Sequence, residues 1–218
     1  MRVLVTGASG GLGPAVMEAF LSTGAEVAGV ARSWTGEDPR FKRIHADLSR
    51  AEECRRAVQD AGEPDVLAHL MGGFAGGHTV TETDEAEWDQ MMNVNLRSAF
   101  LMFRAALPAM LRKKYGRIVA IGSRTAVEPA AALSAYGVSK CGLVHLVRTL
   151  ALELKDTGVT ANIILPGVID TEANRRAMAQ ADFSRWVRPD SIARVVVWLA
   201  SDAARDVNGA VVPVYGRS

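Results

Sequence analysis

Cysteine is scarce: Cys54 and Cys141 are the only two in 218 residues. Neither belongs to a CxxC or to any metal-type spacing. That excludes a disulfide framework and a cysteine-built metal centre, and predicts two reduced thiols and no bound metal. Neither sign of charge is in excess, with 25 Lys and Arg against 24 Asp and Glu for a net charge of +1. Without a basic surplus, a nucleic-acid partner held through its phosphates is not expected. No apolar run approaches the roughly 20 residues a membrane span requires, so no membrane partner is expected either. No leader is expected either, because Met1-Arg2 runs straight into a strand-like segment; the expectation is a cytoplasmic protein.

Apolar side chains, by contrast, are plentiful. They make up 49% of the chain beside 22% charged residues, enough for a sizeable core and incompatible with disorder. No linker, repeat or low-complexity stretch interrupts the sequence, and its length suits one domain over residues 1–218. Short β-branched runs at 3–5, 27–31, 43–46, 65–70, 117–121 and 160–165 alternate with longer helical patterns. A parallel neighbour needs a crossover that a helix supplies, so the pattern predicts an α/β protein with a doubly wound parallel sheet and helices on both faces. Two predicted helices, 95–111 and 136–154, are apolar over far more than one stripe. Such helices need burial on two sides, and a homodimer or homotetramer through them is expected.

The first strand runs into Thr6-Gly7-Ala8-Ser9-Gly10-Gly11-Leu12-Gly13, and a helix follows. Glycines permit the tight turn and a close approach to a pyrophosphate, and the helix start offers free N–H groups. At the first crossover of a parallel sheet this is where a dinucleotide sits. The spacing Gly7-x-x-x-Gly11-x-Gly13 resembles the short-chain dehydrogenase/reductase superfamily, which implies a Rossmann-type fold. The second strand ends in Ala31-Arg32-Ser33. A carboxylate there would repel a ribose 2′-phosphate, whereas a small residue and a guanidinium accommodate one. The expected cofactor is therefore NADP(H), with NAD(H) as the other possibility. By the resemblance, Asp47 and Leu48 contact the adenine; Asp47 is equally suited to cap the next helix.

Tyr136 and Lys140 stand four residues apart in Tyr136-Gly137-Val138-Ser139-Lys140, one turn apart on a helix face. A nearby ammonium favours a phenolate, so Lys140 is expected to lower the pKa of Tyr136. Ser123 follows the strand at 117–121, where strand ends face the ligand crevice. With these residues the resemblance spans nearly the whole chain. It implies Tyr136 as general acid/base, Lys140 tuning Tyr136 and holding the nicotinamide ribose, Ser123 orienting substrate, and Asn95 in a water-linked proton relay. It also implies that Gly72 approaches the cofactor closely. Pro166, Gly167, Val168, Ile169 and Thr171 would hold the nicotinamide carboxamide and phosphates.

One stretch departs from that pattern. Where the superfamily usually has Asn-Asn-Ala-Gly, this chain has His69-Leu70-Met71-Gly72, and His69 is read as a satisfied strand-end histidine rather than a catalytic one. The run Gly72-Gly73-Phe74-Ala75-Gly76-Gly77, with the segment from Thr171 to Trp186, is similar to the dihydropteridine reductases. Ser123 and Arg32 differ from that subgroup. Phe74 and Trp186 are candidates to stack on a flat substrate or to roof the pocket. The expectation is an NADP(H)-dependent oxidoreductase moving a hydride between the nicotinamide and a small C=O or C=N substrate. Two alternatives stand beside it: a dihydropteridine reductase acting on quinonoid dihydropterin, and a dinucleotide-binding sensor that does not turn over.

Overall fold

The computed structural model describes residues 1–217. Seven parallel strands form one sheet in the order β3-β2-β1-β4-β5-β6-β7. They are β1 (Arg2–Thr6), β2 (Glu26–Ala31), β3 (Lys42–His45), β4 (Val66–His69), β5 (Gly116–Ile121), β6 (Val159–Pro166) and β7 (Val211–Val214). The last of these, one residue of which is proline at an edge position, has no counterpart in the sequence-based reading. Order reverses between β1 and β4, so the crevice at the strands' C-terminal ends opens beside Thr6 and His69, which pair directly.

Side-chain alternation sends the central strands' apolar residues to two separate cores. Leu4, Leu67, Ile118 and Ile163 pack on the side of α2 (Ala51–Asp60), α4 (Ser98–Lys113) and α5 (Ser134–Glu153). Val3, Val66, Val119 and Ile164 pack on the other side, against α1 (Gly13–Leu21) and α7 (Pro189–Ala200). Strands β5 and β6 are buried along their whole length, as expected of a parallel sheet covered on both faces.

The helix predicted to start at Asn95 starts earlier. Helix α3 (Glu85–Met91), capped by the Asp84 carboxylate accepting from Glu87 N, runs through a wider π-type turn at Met92–Arg97 into α4. The extra residue per turn swings Asn95 inward, where it is fully buried. Helix α4 ends at Lys114 in the left-handed region (φ 52°). A short helix, α6 (Glu172–Ala177), follows β6. Helices α4 and α5 bury one side on the sheet and leave Phe100, Leu111, Val138 and Leu152 exposed on the other. Among the described residues no helix is long and apolar enough to cross a membrane, and no cluster of His, Cys, Asp and Glu could hold a metal ion.

Candidate active site

Gly7 takes a positive φ (67°) at the end of β1, and a β-carbon there would stand 2.9 Å from Met71 N. At Gly13 it would stand 2.0 Å from the Ala8 carbonyl oxygen, so only glycine lets α1 begin this close to the loop. Gly10 N donates to Gly7 O and Gly13 N to Gly10 O, which draws the loop into consecutive turns. Ser9, Gly10 and Gly11 are exposed at the crest, and Leu12 is buried beneath them. The N–H groups of Ser9, Gly11 and Leu12 have no partner among the described residues. Free donors at a helix start, with no side chain in the way, fit a dinucleotide pyrophosphate.

Thr171 faces this loop from the segment that joins β6 to α6. A β-carbon on Gly11 would fall 2.7 Å from the Thr171 methyl, while Thr171 Oγ1 caps α6 by accepting from Asn174 N at 3.2 Å. The strip from Pro166 to Thr171 is tied down along its backbone. Gly167 N donates to Val214 O, Val187 N to Val168 O, Asp170 N to Val187 O and Thr171 N to Ile169 O. At the other end of the crevice Arg32 and Ser33 are exposed just past β2. Leu48 is buried and Asp47 half-buried. The Asp47 carboxylate accepts from Ser49 N at 3.0 Å, and that bond holds its pKa below the usual range.

The tyrosine, lysine and serine converge at the C-terminal end of β5. Lys140 is buried, and its ammonium donates to Ile121 O at 3.1 Å. Burial alone pushes its pKa down to about 8. Tyr136 lies on the same helix face, with its ring centroid 6.0 Å from Lys140 Nζ. The expected acidification of the phenol is reversed here: burial raises the Tyr136 pKa, and the Ser123 hydroxyl opposes the rise only in part. Desolvation outweighs an ammonium held toward Ile121 rather than toward the phenol. Ser123 Oγ lies 2.9 Å from Thr125 Oγ1, a partner two residues on that sequence reading missed.

Asn95 acts as a clamp. Its Oδ1 accepts from Gly73 N at 2.9 Å, and its Nδ2 donates to Gly73 O at 3.1 Å and to Ser139 Oγ at 3.0 Å. Gly72 sits between this clamp and the lysine, since a β-carbon there would be 2.9 Å from Asn95 Oδ1 and 3.0 Å from Lys140 Nζ. His69 lies underneath, fully buried, with Nδ1 2.9 Å from Thr6 Oγ1 and its ring edge-on to Phe103. Its Nε2 has no hydrogen-bond partner among the described residues. Burial, aided by the Lys140 charge, pushes its pKa down to about 3 and keeps it neutral.

The two aromatic candidates part company. Phe74, largely exposed, sets its ring edge-on to Tyr136 at 5.0 Å between centroids. Trp186 is buried and packs instead on Phe183 at 4.7 Å. A surface groove lined by Val80, Thr83, Trp88, Ser134 and Val138 opens between α3 and α5. Val138 leaves α5 two residues after Tyr136 and so points to the opposite side of the helix, which separates that groove from the phenol.

Residues 1–182 match the short chain dehydrogenase family. Nodulation protein G of Azospirillum brasilense is 33% identical, over 98% of this chain and 96% of that protein. The 3-oxoacyl-acyl-carrier-protein reductase FabG of Escherichia coli is 31% identical over 98% and 95%. A crystal structure of an oxidoreductase of the short chain dehydrogenase/reductase family from Burkholderia thailandensis superposes with a TM-score of 0.88 at 30% identity, over 98% of this chain and 90% of that one. A glycine cradle at the sheet's reversal point and a half-buried tyrosine beside a buried lysine therefore stand in a familiar frame: the chain belongs to the short-chain dehydrogenase/reductase family and is an NAD(P)-dependent oxidoreductase.

Proposed function

We propose that this enzyme uses NADPH to reduce the C=O or C=N bond of a small molecule, with Tyr136 as the proton donor. The observation that carries this reading is the meeting of Tyr136, Ser123 and Lys140 at the mouth of the crevice, one glycine away from the Asn95 clamp. Bound NADPH supplies the hydride; the chain's own residues supply position and a proton. The Ser123 hydroxyl orients the substrate heteroatom toward the phenol. Burial keeps Tyr136 protonated at neutral pH, the state a proton donor requires. As the proton leaves, the Lys140 ammonium stabilises the phenolate across the turn that joins them. Gly72 leaves room for the nicotinamide end, and Asn95 fixes the loop that carries it. Asn95 Oδ1 and Lys140 Nζ both flank Gly72, which supports the water-linked relay between them.

The small Ala31 and the exposed Arg32 and Ser33 support NADPH over NADH. The reductase named for a 3-oxoacyl substrate supports a carbonyl as the acceptor. A second reading, reduction of quinonoid dihydropterin, is favoured by Phe74, whose exposed ring beside Tyr136 offers a flat substrate a stacking partner. The exposed Phe100, Leu111, Val138 and Leu152 support assembly of a homo-oligomer through α4 and α5. The test is Tyr136→Phe: NADPH-dependent turnover of a carbonyl and pterin panel falls by orders of magnitude while the NADPH Kd stays within a few fold. Near-normal turnover in that variant removes the assignment.

A further inference from the structure

Among the described residues, arginine side chains make an ion pair, a hydrogen bond or a ring contact almost without exception. Arg32, Arg50, Arg104 and Arg148 have none. The last two belong to the exposed sides of α4 and α5, but the first two lie near one carboxylate, that of Asp47. Strands β2 and β3 run side by side, with Ala31 level with His45 and Ala46 N donating to Ala31 O at 3.3 Å. Arg32 and Asp47 therefore leave the sheet as neighbours. Three residues on, Arg50 N donates to Asp47 O at 3.1 Å, a turn that keeps Arg50 close to Asp47 as α2 begins.

Both side chains are exposed, and both charges act on the Asp47 carboxylate, after the larger effect of its bond to Ser49. Yet neither guanidinium pairs with that carboxylate, whose Oδ1 accepts from Ser49 N. The nearby acids of α2 are also taken: Glu52 lies against Arg55, while Glu53 accepts from Asp47 N and lies against Arg56. Two unpaired cations beside one carboxylate leave a local excess of positive charge at this end of the crevice, which a dianion bound there would neutralise. We propose that Arg50 joins Arg32 in a two-guanidinium clamp for the 2′-phosphate at the adenosine end of NADP(H), making Arg50 a specificity-determining residue. This rests on the NADPH reading and names a residue which that reading does not use.

The test is calorimetric binding to the wild-type enzyme, Arg32→Gln and Arg50→Gln, with NADP+, NAD+, 2′,5′-ADP and 5′-AMP as probes. Thermal melting confirms that each variant is folded. Arg50→Gln is expected to weaken NADP+ and 2′,5′-ADP by about tenfold, the loss of a charge-assisted contact, and to leave NAD+ and 5′-AMP unchanged. Loss in Arg32→Gln alone, with Arg50→Gln binding all four probes normally, overturns the proposal and leaves the NADPH reading standing. Equal loss of NADP+ and NAD+ in Arg50→Gln also overturns it, since the residue then serves the adenine or the fold. Wild-type enzyme that binds NADP+ no more tightly than NAD+ overturns the cofactor reading itself.

Discussion

Adding one methyl group at Gly72 tests the site more sharply than removing a functional group. Gly72 has no positive φ, so Gly72→Ala carries no backbone strain and its effect is purely one of space. The new carbon would stand 2.9 Å from Asn95 Oδ1 and 3.0 Å from Lys140 Nζ. Ordinary contact begins near 3.5 Å, so both atoms must retreat by about half an ångström. Each is the end of a side chain and can move, at the expense of its hydrogen bonds to Gly73 N (2.9 Å) and Ile121 O (3.1 Å). Weakening two buried bonds costs about 1–2 kcal/mol, and a chain of this size then melts roughly 2–8 °C lower. Catalysis should suffer more, because on the proposed mechanism the displaced groups set the geometry of proton delivery; a kcat loss of about ten- to a hundred-fold is expected. The assay is steady-state oxidation of NADPH beside a calorimetric Kd, which should change by no more than a few fold. Gly73→Ala is the control, its added carbon meeting apolar atoms alone: the Val94 methyls at 3.2 and 3.7 Å and the Met91 methyl at 3.8 Å. Turnover within twofold of wild type in Gly72→Ala, or equal losses in the two variants, would refute the reasoning.

The free enzyme's kcat/KM for reduction should fall as pH rises through about 8, where Lys140 loses its proton while Tyr136 keeps its own. A plateau extending to the ordinary lysine range near 10 would remove Lys140 from that role. Because the unfolded chain holds that proton more tightly, this one group also makes the fold more stable as pH climbs from about 8 toward 10.5. Lys140→Met should erase that component of the urea-midpoint profile. Gly13→Ala forces a carbon to within 2.0 Å of the Ala8 carbonyl oxygen, and should cost about 3 kcal/mol or more on thermal melting; an unchanged Tm contradicts the tight start of α1. Leu152→Glu, at an exposed apolar position on α5, should shift the sedimenting species toward monomer, and a wild-type enzyme that sediments as a monomer removes the proposed assembly.

Much of the frame was legible because it is written in local pattern. Six of the strands announce themselves as short β-branched runs, and the turn residues at Gly7 and Gly13 are forced by contacts within a few positions of chain or by a positive φ. The seventh strand was not, since Val211–Val214 contains Pro213 and pairs on one side only; its N–H demand is met by position rather than by composition. The π-type turn at Met92–Arg97 leaves no mark in periodicity, because one extra residue per turn over six residues is indistinguishable from an ordinary amphipathic helix. His69 behaves as a strand-end residue held by Thr6, a partner set by the β1–β4 register.

The reversed shift at Tyr136 shows where sequence reasoning about chemistry stops. Spacing placed the ammonium one turn from the phenol, and a charge pair at that distance in water would favour the phenolate. Burial is a property of the finished fold: α5 lies on the sheet, Phe74 closes over the ring from a loop sixty-two residues earlier, and Lys140 turns to Ile121 O. Each of these lowers the charge that the phenol can sustain, and none can be read from Tyr-x-x-x-Lys. The consequence runs in the direction that reduction requires. On the proposed mechanism a phenol held neutral is ready to donate its proton before the substrate arrives, and the lysine at about 8 retains most of its charge at neutral pH to stabilise the phenolate afterwards. In the oxidative direction the same desolvation works against the enzyme, since Tyr136 must first surrender its proton. Oxidation should therefore rise with pH until Lys140 loses its charge, whereas reduction should already be at its plateau at neutral pH, and a pH profile of the two directions on one alcohol–carbonyl pair would expose that asymmetry or its absence.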